Sequence, residues 1–144
     1  MKNQLVFEGE YLNGERNGIG KEYNCLNGDL EYEGEYLNGE KHGKGKQYYY
    51  GKLEYEGEFL NGKKHGKGKQ YFIGNGRVKF EGEFLNEKIW SGKGYNINGK
   101  LEYELKDGQG KIKEYFYNDT LRYEGEYLNG ERNGKGKEYC DNKI

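Results

Sequence analysis

The sequence predicts an all-β protein: an elongated, curled single-layer antiparallel sheet of about six tandem β-hairpins. Three observations carry this expectation. One segment, YEGEYLNGEKHGKGKQYYYGKLE, recurs in copies that start at Phe7, Tyr32, Tyr55, Phe80, Tyr103 and Tyr123. The opening of each copy alternates apolar and charged residues. Turn pairs rich in Asn and Gly return about every 11 to 14 residues through most of the chain. A period in the twenties marks one supersecondary unit stacked in a row, not a conventional globular core. Residues 1–144 therefore read as a single repeat array.

The second copy shows how each element arises. Leu30, Tyr32, Gly34 and Tyr36 alternate with Glu31, Glu33 and Glu35, the pattern of a strand with one apolar face. Asn38-Gly39 follows, and both residue types tolerate the positive φ of a tight hairpin turn. Gly43 to Tyr48 supplies a second strand, and Gly51-Lys52 turns the chain into the next copy. Asn27-Gly28, Asn75-Gly76, Asn98-Gly99 and Asn118-Asp119 stand at equivalent second turns. No segment has a helical period.

The pairing register follows from the turn. A tight turn at Asn38-Gly39 sets Tyr32 opposite Gly45, and a longer loop sets Gly34 opposite Gly45. The two registers differ by two residues, so both keep the same faces. Either one places Gly43 and Gly45 on the aromatic face, where a ring covers bare backbone. Glu33 and Glu35 share the other face with Lys44 and Lys46. Tyr48 falls on the charged face, against its apolar character, and a bulge or twist is expected near it. With strands about 4.8 Å apart, twelve of them make a trough about 55 Å long, with a row of rings along it.

Two copies depart from the pattern. The one at Phe80 has Glu87 in place of the turn glycine, carries Ile89-Trp90-Ser91, and reads as holding one extra residue. The one at Tyr103 lacks about four residues around its turn and has Leu105 and Ile112 at glycine positions. A bend or widening of the sheet is expected there.

Composition agrees with an ordered, thin protein. Only 32% of residues are hydrophobic and 34% are charged, which often marks disorder. Yet the net charge is −1 and 16% of residues are aromatic, each at a fixed repeat position. The absence of proline suits uninterrupted ladders. Cys25 and Cys140 are distant and non-equivalent, as expected of free thiols. No stretch near Met1 reads as a signal peptide and none as a membrane span. The expected location is the cytoplasm, with a membrane or cytoskeletal surface as a further site of residence.

Repetition also filters the chemistry. His42 and His65 occupy a position held by Asn17 and Asn133 in other copies, which does not suit a metal ligand or a general base. Ser91 and Thr120 have no neighbouring histidine, so no nucleophile arrangement is visible. The Gly-Lys-Gly-Lys runs lack the hydroxyl residue that a phosphate loop needs after its lysine. Acidic residues balance basic ones, which argues against a nucleic-acid partner. The expectation is a protein that is not an enzyme and uses no cofactor and no metal.

Together, Tyr-Glu-Gly-Glu-aromatic, the Asn-Gly turn and the Gly-x-Gly-Lys run resemble the MORN family. The resemblance covers Leu5 to about Tyr139 and is strongest in four copies. It implies a curled sheet of hairpins that serves as a scaffold and binds partner helices along an aromatic groove. It also implies phospholipid binding as an alternative. The form is similar to the MORN variant common in bacterial proteins, some of them antitoxins, which adds neutralisation of a partner protein as a third reading.

The candidate groove comprises Tyr11, Tyr32, Tyr36, Tyr55, Phe59, Phe80, Phe84, Tyr123 and Tyr127, with Trp90 in the irregular patch. Contiguous apolar surface on a single-layer sheet usually marks an interface, so an apolar or helical protein segment, or a second copy, is the expected occupant. Arg16, Lys41, Lys63, Lys64 and Arg132 form a candidate basic rim for an anionic membrane. End strands offer a further route to self-association.

Overall fold

The computed structural model describes residues 1–141. Twelve strands follow one another: β1 (Phe7–Leu12), β2 (Glu15–Tyr23), β3 (Leu30–Leu37), β4 (Glu40–Tyr49), β5 (Lys52–Leu60) and β6 (Lys63–Tyr71). Then come β7 (Val78–Leu85), β8 (Lys88–Tyr95), β9 (Leu101–Leu105), β10 (Gly110–Tyr115), β11 (Leu121–Leu128) and β12 (Glu131–Glu138). β1 to β9 form one sheet in chain order, and β10 to β12 a second. Every pairing is antiparallel, so the meander read from the sequence is the fold.

The first turn of each hairpin holds two residues at positive φ. Asn38 and Gly39 stand at 50° and 84°, and Asn86 and Glu87 at 46° and 79°. Such turns match the twist of the strands they join. Glu87 is an L-residue in a conformation that favours glycine. Its backbone N–H donates to the Lys64 carbonyl at 2.9 Å, and its carboxylate accepts from the Lys64 N–H at 2.8 Å. Those two bonds hold the turn against its neighbour.

The register combines the two alternatives. The turn at Asn38-Gly39 is tight, with Leu37 opposite Glu40, yet Gly34 lies opposite Gly45. A bulge between them absorbs the difference, since Glu35 pairs with His42 and leaves Gly43 and Lys44 extra on β4. The bulge is tied by a carboxylate: Lys44 N–H donates to Glu35 Oε2 at 2.5 Å, Lys67 N–H to Glu58 at 2.6 Å and Lys135 N–H to Glu126 at 2.7 Å. Gly43 therefore does not share the aromatic face. A side chain there would meet the Glu35 carboxylate, and its φ is 58°. The last glutamate of Tyr-Glu-Gly-Glu is thus a structural tie as well as a surface charge.

The irregular copies also differ from the sequence expectation. Gly82 pairs with Gly92, whereas Gly57 pairs with Gly68, so the hairpin at Phe80 is one residue shorter between its glycines, not longer. Trp90 is the single residue left over in its bulge. In the copy at Tyr103 the turn survives as Asp107-Gly108, and the four missing residues are those of the bulge and the strand ends. Leu105 and Ile112 stand where other copies have glycine, opposite Gly92 and Gly125. Both are buried, with Tyr123, in a second small core.

The twelve strands do not make one continuous trough. Between β9 and β10 the ladder shrinks to an isolated bridge, Lys106↔Gln109. Beyond it the chain folds back. Tyr117 stacks on Tyr49 with ring centroids 4.1 Å apart, and its hydroxyl donates to Glu54 at 3.3 Å. Gly74 N–H donates to Asp119 at 3.1 Å. Phe72, buried beside Tyr115, fills the space between these loops.

Candidate functional site

The two faces of the large sheet differ. The ring face is closed. Tyr32, Tyr36, Tyr55, Phe59, Phe80 and Phe84 are all buried, with Phe7 at the end of the row. The rings that open each copy, Phe7, Tyr32, Tyr55 and Phe80, lie over facing glycines: a side chain on Gly45 would come within 2.6 Å of the Tyr32 ring, and one on Gly68 within 2.5 Å of Tyr55. Neighbouring rings meet edge to face at 5.0–5.5 Å, from Phe7–Tyr36 through Tyr32–Phe59 and Tyr55–Phe84 to Phe80–Phe84, a favourable arrangement for aromatic quadrupoles.

The basic residues complete the roof. Arg16 lies 4.2 Å over Phe7, Lys41 4.9 Å over Tyr32, Lys64 5.2 Å over Tyr55 and Arg132 4.4 Å over Tyr123. Cations placed over ring faces are attracted by them. Lys64 is 5% exposed and sits 3.8 Å from Glu54 and 3.9 Å from Glu87. Arg16 pairs with Glu22 at 3.5 Å, and Arg132 is held by Glu114 at 2.8 Å and Glu138 at 2.6 Å. Of the five residues read as a rim, Lys63 alone is exposed with neither a ring nor a carboxylate partner among the described residues. The other four act as covers for rings.

The ring residues therefore do not line an open trough. A glycine floor, edge-on neighbours and a cationic roof bury them without a second layer. Tyr11, at the β1 edge, is the exception at 61% exposure. Tyr127 is half-buried, and its hydroxyl faces Glu114, whose charge and hydrogen bond add to burial in pushing the phenol above its ordinary pKa. Trp90 is also half-buried. It packs against two turns: its carbonyl accepts from Gly108 N–H at 2.8 Å, and the Gly108 carbonyl accepts from Gly130 N–H at 3.0 Å. The ring lies against both glycines.

The opposite face carries the open groove, with a volume of about 1260 Å³. Its floor is the glycine row from Gly20 to Gly92, and its walls are glutamates and lysines. The cross-strand register alternates the charges without a break: Glu8–Lys21–Glu33–Lys46–Glu56–Lys69–Glu81–Lys93–Glu104, one residue from each strand of the sheet. The second sheet continues the pattern with Lys113–Glu124–Lys137 around a smaller groove of about 470 Å³.

A second tyrosine row explains the anomaly at Tyr48. A bulge does lie beside it, where the register with β5 shifts between Gln47 and Tyr48. The ring nevertheless stays on the charged face, and its hydroxyl donates to Glu33 at 2.7 Å. Four other copies repeat the pair: Tyr23 with Glu8, Tyr71 with Glu56, Tyr95 with Glu81 and Tyr139 with Glu124; in the shortened copy at Tyr103, Tyr115 donates instead to Glu102, just before the copy. Burial first, then the Glu33 hydrogen bond, pushes the Tyr48 phenol up to about 12. The signal was in the sequence, as a tyrosine fifteen residues after the second residue of four copies. Only the bulge-adjusted register pairs it with that glutamate. With the tyrosines holding the acidic row, Lys21, Lys46, Lys69 and Lys93 have no carboxylate within salt-bridge distance among the described residues and remain free on the groove wall.

Chemically, the groove offers alternating charges and bare backbone, not a reacting centre. No group of three metal-type ligands comes together among the described residues. Cys25 and Cys140 are free and exposed.

A row of like hairpins, each completed by its neighbour, defines a tandem-repeat protein. Comparison with known families gives it a place: the MORN repeat pattern matches residues 7–24, 32–52, 55–77 and 123–143. These segments are more than half of the chain, and the chain belongs to the MORN repeat family. Such repeats are generally modules for protein or membrane interaction and form a non-enzymatic family. The hairpins at Phe80 and Tyr103, which break the glycine pattern, lie outside the matched segments. A search of curated proteins gives no match.

Proposed function

We propose that this chain is a non-enzymatic scaffold that holds a helical segment of a partner protein along its glutamate–lysine groove. The observation that carries the reading is the unbroken alternation of charge across nine strands, over a floor of backbone that no side chain obstructs. Strands are about 4.8 Å apart, close to the 5.4 Å rise of one helical turn. A straight helix with opposite charges one turn apart meets an opposite charge on about four successive strands before the two spacings drift out of step. The aliphatic stems of Lys and Glu supply apolar contact beneath those charges. The balanced charge of the groove disfavours a polyanionic occupant, whether nucleic acid or an anionic membrane, because half of its wall would repel.

Affinity capture with the wild-type chain and the Lys46→Glu/Lys69→Glu variant tests this. Both lysines are exposed. The variant is expected to lose the partner, while Lys52→Glu, outside the groove lining, retains it. Equal recovery by all three chains would overturn the groove as the docking site. Sedimentation with anionic vesicles at low salt is expected to leave the protein in the supernatant.

A further inference from the structure

The first and last hairpins are almost one sequence. Residues 8–23 and 124–139 are identical except for Ile19 against Lys135. Within the molecule, the second strand of the first hairpin is completed by β3: Gly18 faces Tyr36, Ile19 faces Glu35, Gly20 faces Gly34, Lys21 faces Glu33 and Tyr23 faces Leu30. Strand β12 has the same residues and no strand on its outer side among the described residues; every residue along it is exposed. Strand β1 is likewise unpaired on its outer side.

We propose that copies of this chain associate head to tail, with β12 of one copy pairing with β1 of the next in the register that joins β2 to β3. Gly134 then faces Tyr11, Lys135 faces Glu10, Gly136 faces Gly9, Lys137 faces Glu8 and Tyr139 faces Leu5.

Four features are already in place for that junction. Tyr36 is 4% exposed because its ring meets Phe7 edge-on at 5.2 Å and its hydroxyl donates to Glu22 at 3.1 Å. Tyr11, the same residue of the first hairpin, is 61% exposed. At the other end Tyr123 offers the ring that corresponds to Phe7, and Glu138 the carboxylate that corresponds to Glu22. Second, Arg132 holds Glu138 at 2.6 Å, as Arg16 holds Glu22 at 3.5 Å. Third, the Arg16 carbonyl accepts from Gly39 N–H of the neighbouring turn at 2.9 Å; the Arg132 carbonyl would receive Gly14 of the next copy in the same way. Fourth, Lys137 beside Glu8 continues the alternation of charge from one copy into the next. The docking surface then runs across the junction.

Such a contact uses two different patches, so it does not close on itself as a two-fold dimer does, and it propagates. Sedimentation velocity from micromolar to millimolar concentration tests it. The wild-type mass is expected to climb past that of a dimer. Tyr11→Asp blocks the β1 end by setting an acid against Glu138, and Lys135→Glu/Lys137→Glu blocks the β12 end; each alone is expected to stay monomeric. Mixed, they retain one good end apiece and are expected to stop at a dimer. Leu5→Asp, at a residue 52% exposed and outside the strands, replaces Tyr11→Asp if circular dichroism shows that chain unfolded. A monomeric wild type, variants that still associate, or a mixture that stays monomeric overturns the proposal.

Discussion

The two faces of the large sheet share the same strands and the same glycines but answer opposite demands. On the ring face each glycine makes room for an aromatic ring, and the surface closes on itself. On the charged face the same glycines leave the backbone bare, and the surface stays open. The alternation of apolar and charged residues tells which side chains share a face. Which face a partner reaches depends on how completely each is covered, and here the apolar face is the covered one.

That contrast is most sharply tested by removing a ring. Tyr55→Ala is expected to cost about 3 to 5 kcal/mol in urea unfolding, as do other truncations of buried aromatics. The loss is cumulative along the row, because Tyr55 supports both Phe59 and Phe84. Gly68→Val comes next. Its side chain enters the space of the Tyr55 ring, and the expected cost is about 1 to 3 kcal/mol, the range for overpacking. A destabilised Tyr55→Ala beside an unaffected Gly68→Val would show that the ring does not rest on the glycine pair.

On the other face the effects shrink. Tyr71→Phe removes the hydroxyl that donates to Glu56, and about 0.5 to 1.5 kcal/mol is expected to go with it. Lys46→Ala, an exposed lysine on the groove wall, is expected to change stability by less than about 0.5 kcal/mol. A larger effect would mean that the charge ladder holds the sheet together instead of serving a partner.

Alkali gives a further test of the tyrosine rows. Folding raises the Tyr48 phenol from 10.0 to about 12, chiefly through burial, and Tyr117 likewise to about 12. Between those values the unfolded chain releases protons that the folded one keeps, so stability falls as pH rises from 10 toward 12. Below 10 this contribution is fully present. Difference absorbance between the wild type and the Tyr48→Phe or Tyr117→Phe chain isolates each phenol; its tyrosinate signal is expected well above pH 10, and a midpoint near 10 in the folded chain would contradict the burial of that phenol.

Much of the architecture was legible before any coordinate. The copies, the two-strand unit and the Asn-Gly turns follow from local residue chemistry, and positive φ at Asn38 and Gly39 is what that pair is for. The irregularity at Leu105 and Ile112 also announced itself, because side chains replaced glycines where backbones meet. Other features depend on geometry that single residues do not carry. The bulge at Gly43 arises because a tight turn and facing glycines cannot both hold in an unbroken ladder. The tyrosine–glutamate pairs need that bulge to come into line. The stacking of Tyr117 on Tyr49 joins residues far apart in the chain and depends on the accumulated curl of every strand between them. The roof over the rings was hidden for a different reason: Arg16, Lys41 and Lys64 read as surface charges, and only their long stems allow them to lie over aromatic faces.

The lone bridge between Lys106 and Gln109 makes the molecule mechanically uneven. Elsewhere, neighbouring hairpins are laced by a full ladder, but here the last three strands are held mainly through side chains: the Leu105–Ile112–Tyr123 core, the Lys113–Glu102 pair, the turns around Trp90 and the Tyr49–Tyr117 stack. Pulled from its two ends, the chain would part first at this seam, releasing a three-stranded piece while the nine-stranded one keeps its shape. An array built this way has a fuse: under load it lengthens by one defined step before the nine-stranded sheet and its open groove are lost.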